Sequence, residues 1–127
     1  MLAKVGSIEV TYVLMEIKFY PDSDLEDFRE SVLEYQKIWD ENSSQIISSW
    51  ESHSGLKFRE SYINAIVWDG ISASHPLSLR YDLLPDGKKD TLAHELGHRL
   101  LYKRLSFASQ HFTIGYYYSW LLVLEGA

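Results

Sequence analysis

The chain has no cysteine among its 127 residues. That excludes disulfides and every thiolate metal site, so a metal bound here must take imidazole and carboxylate ligands. It also fits a reducing compartment, and a cytoplasmic protein is expected. Basic residues are few: 12 Lys and Arg stand against 18 Asp and Glu, a net charge of −6. Phosphate binding wants a basic face, so nucleic acid is not the expected partner. No apolar run approaches the roughly 20 residues that span a bilayer. The longest near the C-terminus, Tyr116 to Leu124, falls well short. The N-terminal MLAKVGSIEV has no long apolar core, so neither a membrane span nor a signal peptide is expected. Hydrophobic residues at 46% and charged residues at 24% describe ordinary globular material. The length suits one domain, 1–127, with one core, and no repeat, low-complexity tract or linker interrupts it.

Ile8 to Tyr20 is rich in β-branched and aromatic residues and reads as a strand. Pro21-Asp22-Ser23 ends it, and Ser23 or Asp22 can cap a helix starting near Asp24, with Glu26 and Asp27 favourable in its first turn. Leu25, Phe28, Val32, Tyr35 and Trp39 follow helical spacing, extended by Ile46, Ile47 and Trp50. A pause is expected at Asn42-Ser43-Ser44 and a stop near His53 to Gly55. Tyr62 to Trp68 reads as a buried strand closed by Asp69-Gly70. Leu77, Leu79 and Tyr81 alternate with polar or small residues, which predicts a half-exposed strand, and Pro76 at its start suits a sheet edge. Leu84 to Lys89 reads as a turn, with Asp90 as N-cap of a helix over TLAHELGHRLLYKRL. Arg99, Lys103 and Arg104 gather at its end, where the helix dipole favours cations. A last helix is expected over about His111 to Glu125.

Within the second of these helices, His94-Glu95-Leu96-Gly97-His98 forms an H-E-x-x-H pattern. Residues four apart lie one turn apart on one helix face, so His94 and His98 can aim both imidazoles at one zinc ion. Glu95 lies about 100° around the helix. It is badly placed as a ligand but well placed to take a proton from a water at the metal, as a general base does. Chance alone gives this pattern in about one of every few hundred chains of this length. The apolar neighbours Leu92, Ala93, Leu96, Leu100 and Leu101 argue against an incidental solvent-facing stripe, because buried polar groups need partners. Gly97 costs a helix about 1 kcal/mol relative to Ala, so another segment is expected to approach closely there.

A catalytic zinc needs a third protein ligand, and two candidates lie downstream. His111 stands 13 residues past His98, and Glu125 stands 27 past it, on the face of Tyr118, Leu121 and Leu122. The alternative for Glu125 is a solvated carboxylate near a frayed end. His53 and His75 read as surface or loop histidines, His75 lying beside the edge strand. The Tyr116-Tyr117-Tyr118 run reads first as helix packing and second as a source of phenol donors for an oxyanion.

These residues resemble the zincin metallopeptidases, and in particular the gluzincin branch, in which Glu from a following helix completes the H-E-x-x-H site. The size is similar to the minimal soluble members called minigluzincins. The resemblance covers roughly residues 25 to 125 and implies His94, His98 and Glu125 as ligands of one Zn2+, with Glu95 as the base. It implies an α+β fold: a small mixed sheet packed against a long N-terminal helix, an active-site helix and a C-terminal backing helix. The implied activity is hydrolysis of peptide bonds, with the substrate extended along the Leu77–Asp82 edge. Two alternatives stand beside it: a latent or weakly active zinc-binding regulatory module of the same fold, and a regulatory peptidase of the ImmA/IrrE type, which presents a similar helix.

Overall fold

The computed structural model describes residues 2–5, 8–11, 15–104, 109–110 and 114. In chain order come β1 (Leu2–Val5), β2 (Ile8–Thr11), β3 (Glu16–Pro21), α1 (Glu26–Ser54), β4 (Tyr62–Trp68), β5 (Leu77–Arg80) and α2 (Pro85–Leu101). The architecture is mixed α and β, compatible with the α+β class. The expected single mixed sheet is corrected to two sheets. β1 and β2 form an antiparallel pair, while β3, β4 and β5 form a parallel sheet in that order. The run from Ile8 to Tyr20 therefore serves both sheets and is not one strand. No helix among the described residues is long and apolar enough to cross a membrane.

β3, α1 and β4 make a crossover unit, with Glu16 opposite Tyr62 and Pro21 opposite Val67. Side chains alternate across the pleat. Ile17, Phe19, Ile63, Ala65 and Val67 face the core with Leu77 and Leu79, while Glu16, Lys18, Tyr62, Asn64 and Ile66 face out. Both helices consequently cover one side of the sheet, α1 over β3 and β4 and α2 beside β5.

α1 has 29 residues, a length of roughly 43 Å at the α-helical rise. It buries Phe28, Tyr35, Ile38, Trp39, Ile46 and Trp50 along its length. Leu25 occupies its N-cap position, not Asp22 or Ser23, and the Ser23 hydroxyl accepts the Leu25 N–H at 3.4 Å. The expected pause at Asn42 to Ser44 does not occur. Buried Ile38 and Trp39 on one side and Ile46 on the other hold the helix straight through, and Asn42 donates back to the Ile38 carbonyl at 2.8 Å. The helix stops where expected: Gly55, at φ 74°, donates its N–H to Glu51 in a left-handed cap.

Tyr35 ties the layers together. Its ring stacks on Phe19 with centroids 5.8 Å apart, and its hydroxyl donates to the Arg80 carbonyl at 2.7 Å. Burial first, then the nearby charges of Glu34 and Asp82, push this hydroxyl well above its ordinary pKa. Beside it Lys88 is buried and reaches Glu34 at 3.1 Å, linking α2 to α1.

β5 is buried, not half exposed. The connection after β4 folds back beside it, and Ala73 and Ser78 exchange both backbone hydrogen bonds at 2.9 Å. The Ser72 hydroxyl accepts the Arg80 N–H at 3.0 Å. β5 is the last of the parallel strands, as Pro76 suggested, but its outward backbone groups are already met by its own loop.

Candidate metal centre

α2 begins six residues earlier than the Asp90 cap implies, with Leu84 at the N-cap. Pro85 opens the helix, Asp86 sits in its first turn, and the segment read as a turn is helical. Proline at the first helical position has no N–H to leave unpaired, and its φ is already helical. The earlier start adds more than a turn of helix before the H-E-x-x-H segment and seats α2 against α1 through Lys88.

On α2, Leu92, Ala93, Leu96, Leu100 and Leu101 enter the core. Gly97 faces α1. A Cβ there would lie 2.4 Å from Cζ2 of Trp50, whose indole is fully buried and donates from Nε1 to the Ala93 carbonyl at 3.0 Å. The close approach expected at Gly97 is therefore the Trp50 ring. It fixes the rotation of α2 and, with it, the direction of the His94 and His98 side chains.

His94 and His98 have ring centroids 5.0 Å apart. One ligand atom from each of His94, Glu95 and His98 lies within 4.8 Å of the others. His94 is half-buried, whereas Glu95 and His98 are 8% and 7% exposed. Two imidazoles and a carboxylate brought this close form a group that could hold a metal ion. The His98 ring nitrogen Nδ1 lies 2.9 Å from Oε1 of Gln110, which is itself buried. Sequence reasoning missed Gln110, and nothing in its spacing or its neighbours Ser109 and His111 marks it out. Glu125, His111 and the Tyr116 to Tyr118 run lie outside the described residues.

His94 and Glu95 open onto a cleft of about 620 Å³. Asp90, Thr91 and Leu83 line it on the helix side; Ile71, Ser72 and Arg80 line it on the sheet side. The Arg80 charge is balanced in place. Its guanidinium meets Asp82 at 2.5 and 3.2 Å and Asp69 at 3.6 Å, and it holds the Asp82 carboxyl below the usual carboxylate range. Arg99, the residue after His98, clamps the rim to the helix. It pairs with Glu60 through two nitrogens and donates to the Ser74 carbonyl at 2.6 Å.

His53 sits in the last turn of α1 with its ring edge-on to Trp50. His75 packs on Tyr102 with ring centroids 4.3 Å apart, and its Nδ1 meets the Ser74 hydroxyl at 2.9 Å. Burial, then the positive charge of Arg99, lowers its pKa from 6.5. The folded chain thus prefers neutral His75. As pH falls, the unfolded chain takes up this proton first, so the contribution of His75 to stability is present above 6.5 and is lost as pH drops below it. A proton NMR titration of the His75 ring should accordingly show a midpoint below 6.5; a midpoint above it would mean that Glu60, not Arg99, governs the ring.

No protein-family model matches this chain, and neither a curated protein nor a solved structure matches it.

Proposed function

We propose that this chain is a zinc-dependent metallopeptidase with a zincin-like fold, of the gluzincin branch. The observation that carries the reading is the convergence of His94, Glu95 and His98 at the mouth of an open cleft. His94 and His98 would hold the ion, with Glu125 as the third ligand that the gluzincin resemblance implies. Zinc held there supplies polarisation of the scissile carbonyl and a water made acidic enough to attack at neutral pH. Glu95 accepts the proton of that water as its oxygen bonds to the carbonyl carbon. The same carboxyl then gives the proton to the departing amine as the C–N bond breaks.

The substrate edge differs from the one first expected. The outer side of β5 is occupied by Ser72 and Ala73, so an extended peptide would lie instead against the cleft side of the Ile71–Ser74 segment, where Ile71 and Ser72 share the cleft with His94. Arg99 supports this by tying that segment to the helix that carries the ligands. The absence of cysteine supports a cytoplasmic setting.

The test is metal content with peptide cleavage. The purified chain should hold one zinc per molecule and cut unfolded protein, and His94→Ala should lose both metal and activity. A wild-type chain that takes up no stoichiometric zinc from a buffered metal solution would sink the reading.

A further inference from the structure

We infer that Gln110 is a positioning residue that fixes His98 in the one tautomer able to bind the metal through Nε2. The inference rests on the metal site proposed above. Nδ1 of His98 lies 2.9 Å from Oε1 of Gln110, and the two side chains are 7% and 8% exposed. A carboxamide oxygen only accepts hydrogen bonds, so the ring nitrogen facing it must carry the proton. A neutral imidazole has one proton, and with Nδ1 protonated the lone pair belongs to Nε2, the nitrogen on the far side of the ring. Rotating the Gln110 amide by half a turn would reverse the logic: its NH2 would need the Nδ1 lone pair, and Nε2 would carry the proton and reject a cation. The side chain therefore has one productive orientation, and burial keeps water from substituting for it.

The acceptor is an amide, not a carboxylate. A carboxylate on Nδ1–H would make the imidazole more basic and a stronger ligand; an amide orients the ring without adding a full negative charge. Gln110 thus gives direction and tautomer with a neutral group. It also carries the chain just beyond α2 back to the metal ligands, at a sequence distance of 12 residues.

The experiment uses the full chain with zinc alone and reads the tautomer separately from the metal. Long-range proton–nitrogen spectra of zinc-free protein labelled at histidine should show His98 protonated on Nδ1. Zinc affinity, measured by competition with a chromophoric chelator, should fall roughly 10- to 100-fold in Gln110→Leu and be retained or improved in Gln110→Glu, the range typical for loss of a ligand-orienting hydrogen bond. A wild-type His98 protonated on Nε2 overturns the inference. So does a folded Gln110→Leu chain that binds zinc within about twofold of wild type, or a Gln110→Glu chain that binds no better than Gln110→Leu. If Gln110→Leu fails to fold, the wild-type tautomer and the Gln110→Glu affinity decide. A wild type that binds no zinc yet shows Nδ1–H at His98 refutes the metal reading and the role of Gln110 in it, while the hydrogen bond itself stands.

Discussion

Glu95→Gln should abolish peptide hydrolysis while leaving zinc bound. Gln matches Glu in size, so the buried position near His98 is filled as before. What changes is the ability to take a proton. Loss of a positioned general base typically costs on the order of 10²–10⁴ in rate, and in the proposed mechanism the same group also protonates the leaving amine, which points to the upper part of that range. Zinc affinity should hold within a few-fold because the proposed ligands are His94, His98 and Glu125, not Glu95. The pairing of readouts matters: the carboxylate lies within 4.8 Å of the imidazole nitrogens, close enough that a ligand role is geometrically open. Single-turnover cleavage and metal content on the same sample separate the two. Loss of activity with zinc retained identifies a base; loss of both identifies a ligand.

Gly97→Ala should destabilise the fold even though alanine is the better helix former. Propensity alone favours the change by about 1 kcal/mol. Against it stands a methyl group 2.4 Å from a ring carbon of Trp50. The ring has little room to retreat, since it is fully buried and tethered to Ala93 through Nε1. Forcing extra volume into a packed core costs about 1–3 kcal/mol, and a rigid neighbour places this site toward the top. The net expectation is a loss of roughly 1–2 kcal/mol in urea denaturation, the overpacking cost less the propensity gain. Combining the change with Trp50→Leu should cost less than the sum of the two single changes, because the clash is shared. Strict additivity would show that Gly97 is merely tolerated.

Much of this architecture could be read from residues, and the failures have physical causes. Tyr62 to Trp68 was legible because a buried strand bounded by Asp69-Gly70 has few other readings. α1 was legible from its apolar stripe, but the tertiary anchors Ile38, Trp39 and Ile46 override the local turn preference of Asn42-Ser43-Ser44. The start of α2 was missed because Pro-Asp-Gly serves turns and helix starts alike, and only the burial of Lys88 under Glu34 decides between them. β5 looked half exposed because alternation reports side chains, not a loop that returns along the strand. At the candidate site, the spacing of His94, Glu95 and His98 was readable because a helix fixes it. Gln110 and Trp50 were not, since each reaches the site across a distance in sequence that no local pattern encodes.

The loop that folds back along β5 has a consequence for how copies of this chain meet one another. A bare edge strand offers a row of unpaired N–H and C=O groups to any passing strand and is a route to aggregation. Here Ser72 and Ala73 occupy that row at Ser78 and Arg80. Beyond it the chain is held at the Ser74 carbonyl by Arg99. A second molecule finds there no long template to extend into a continuous sheet.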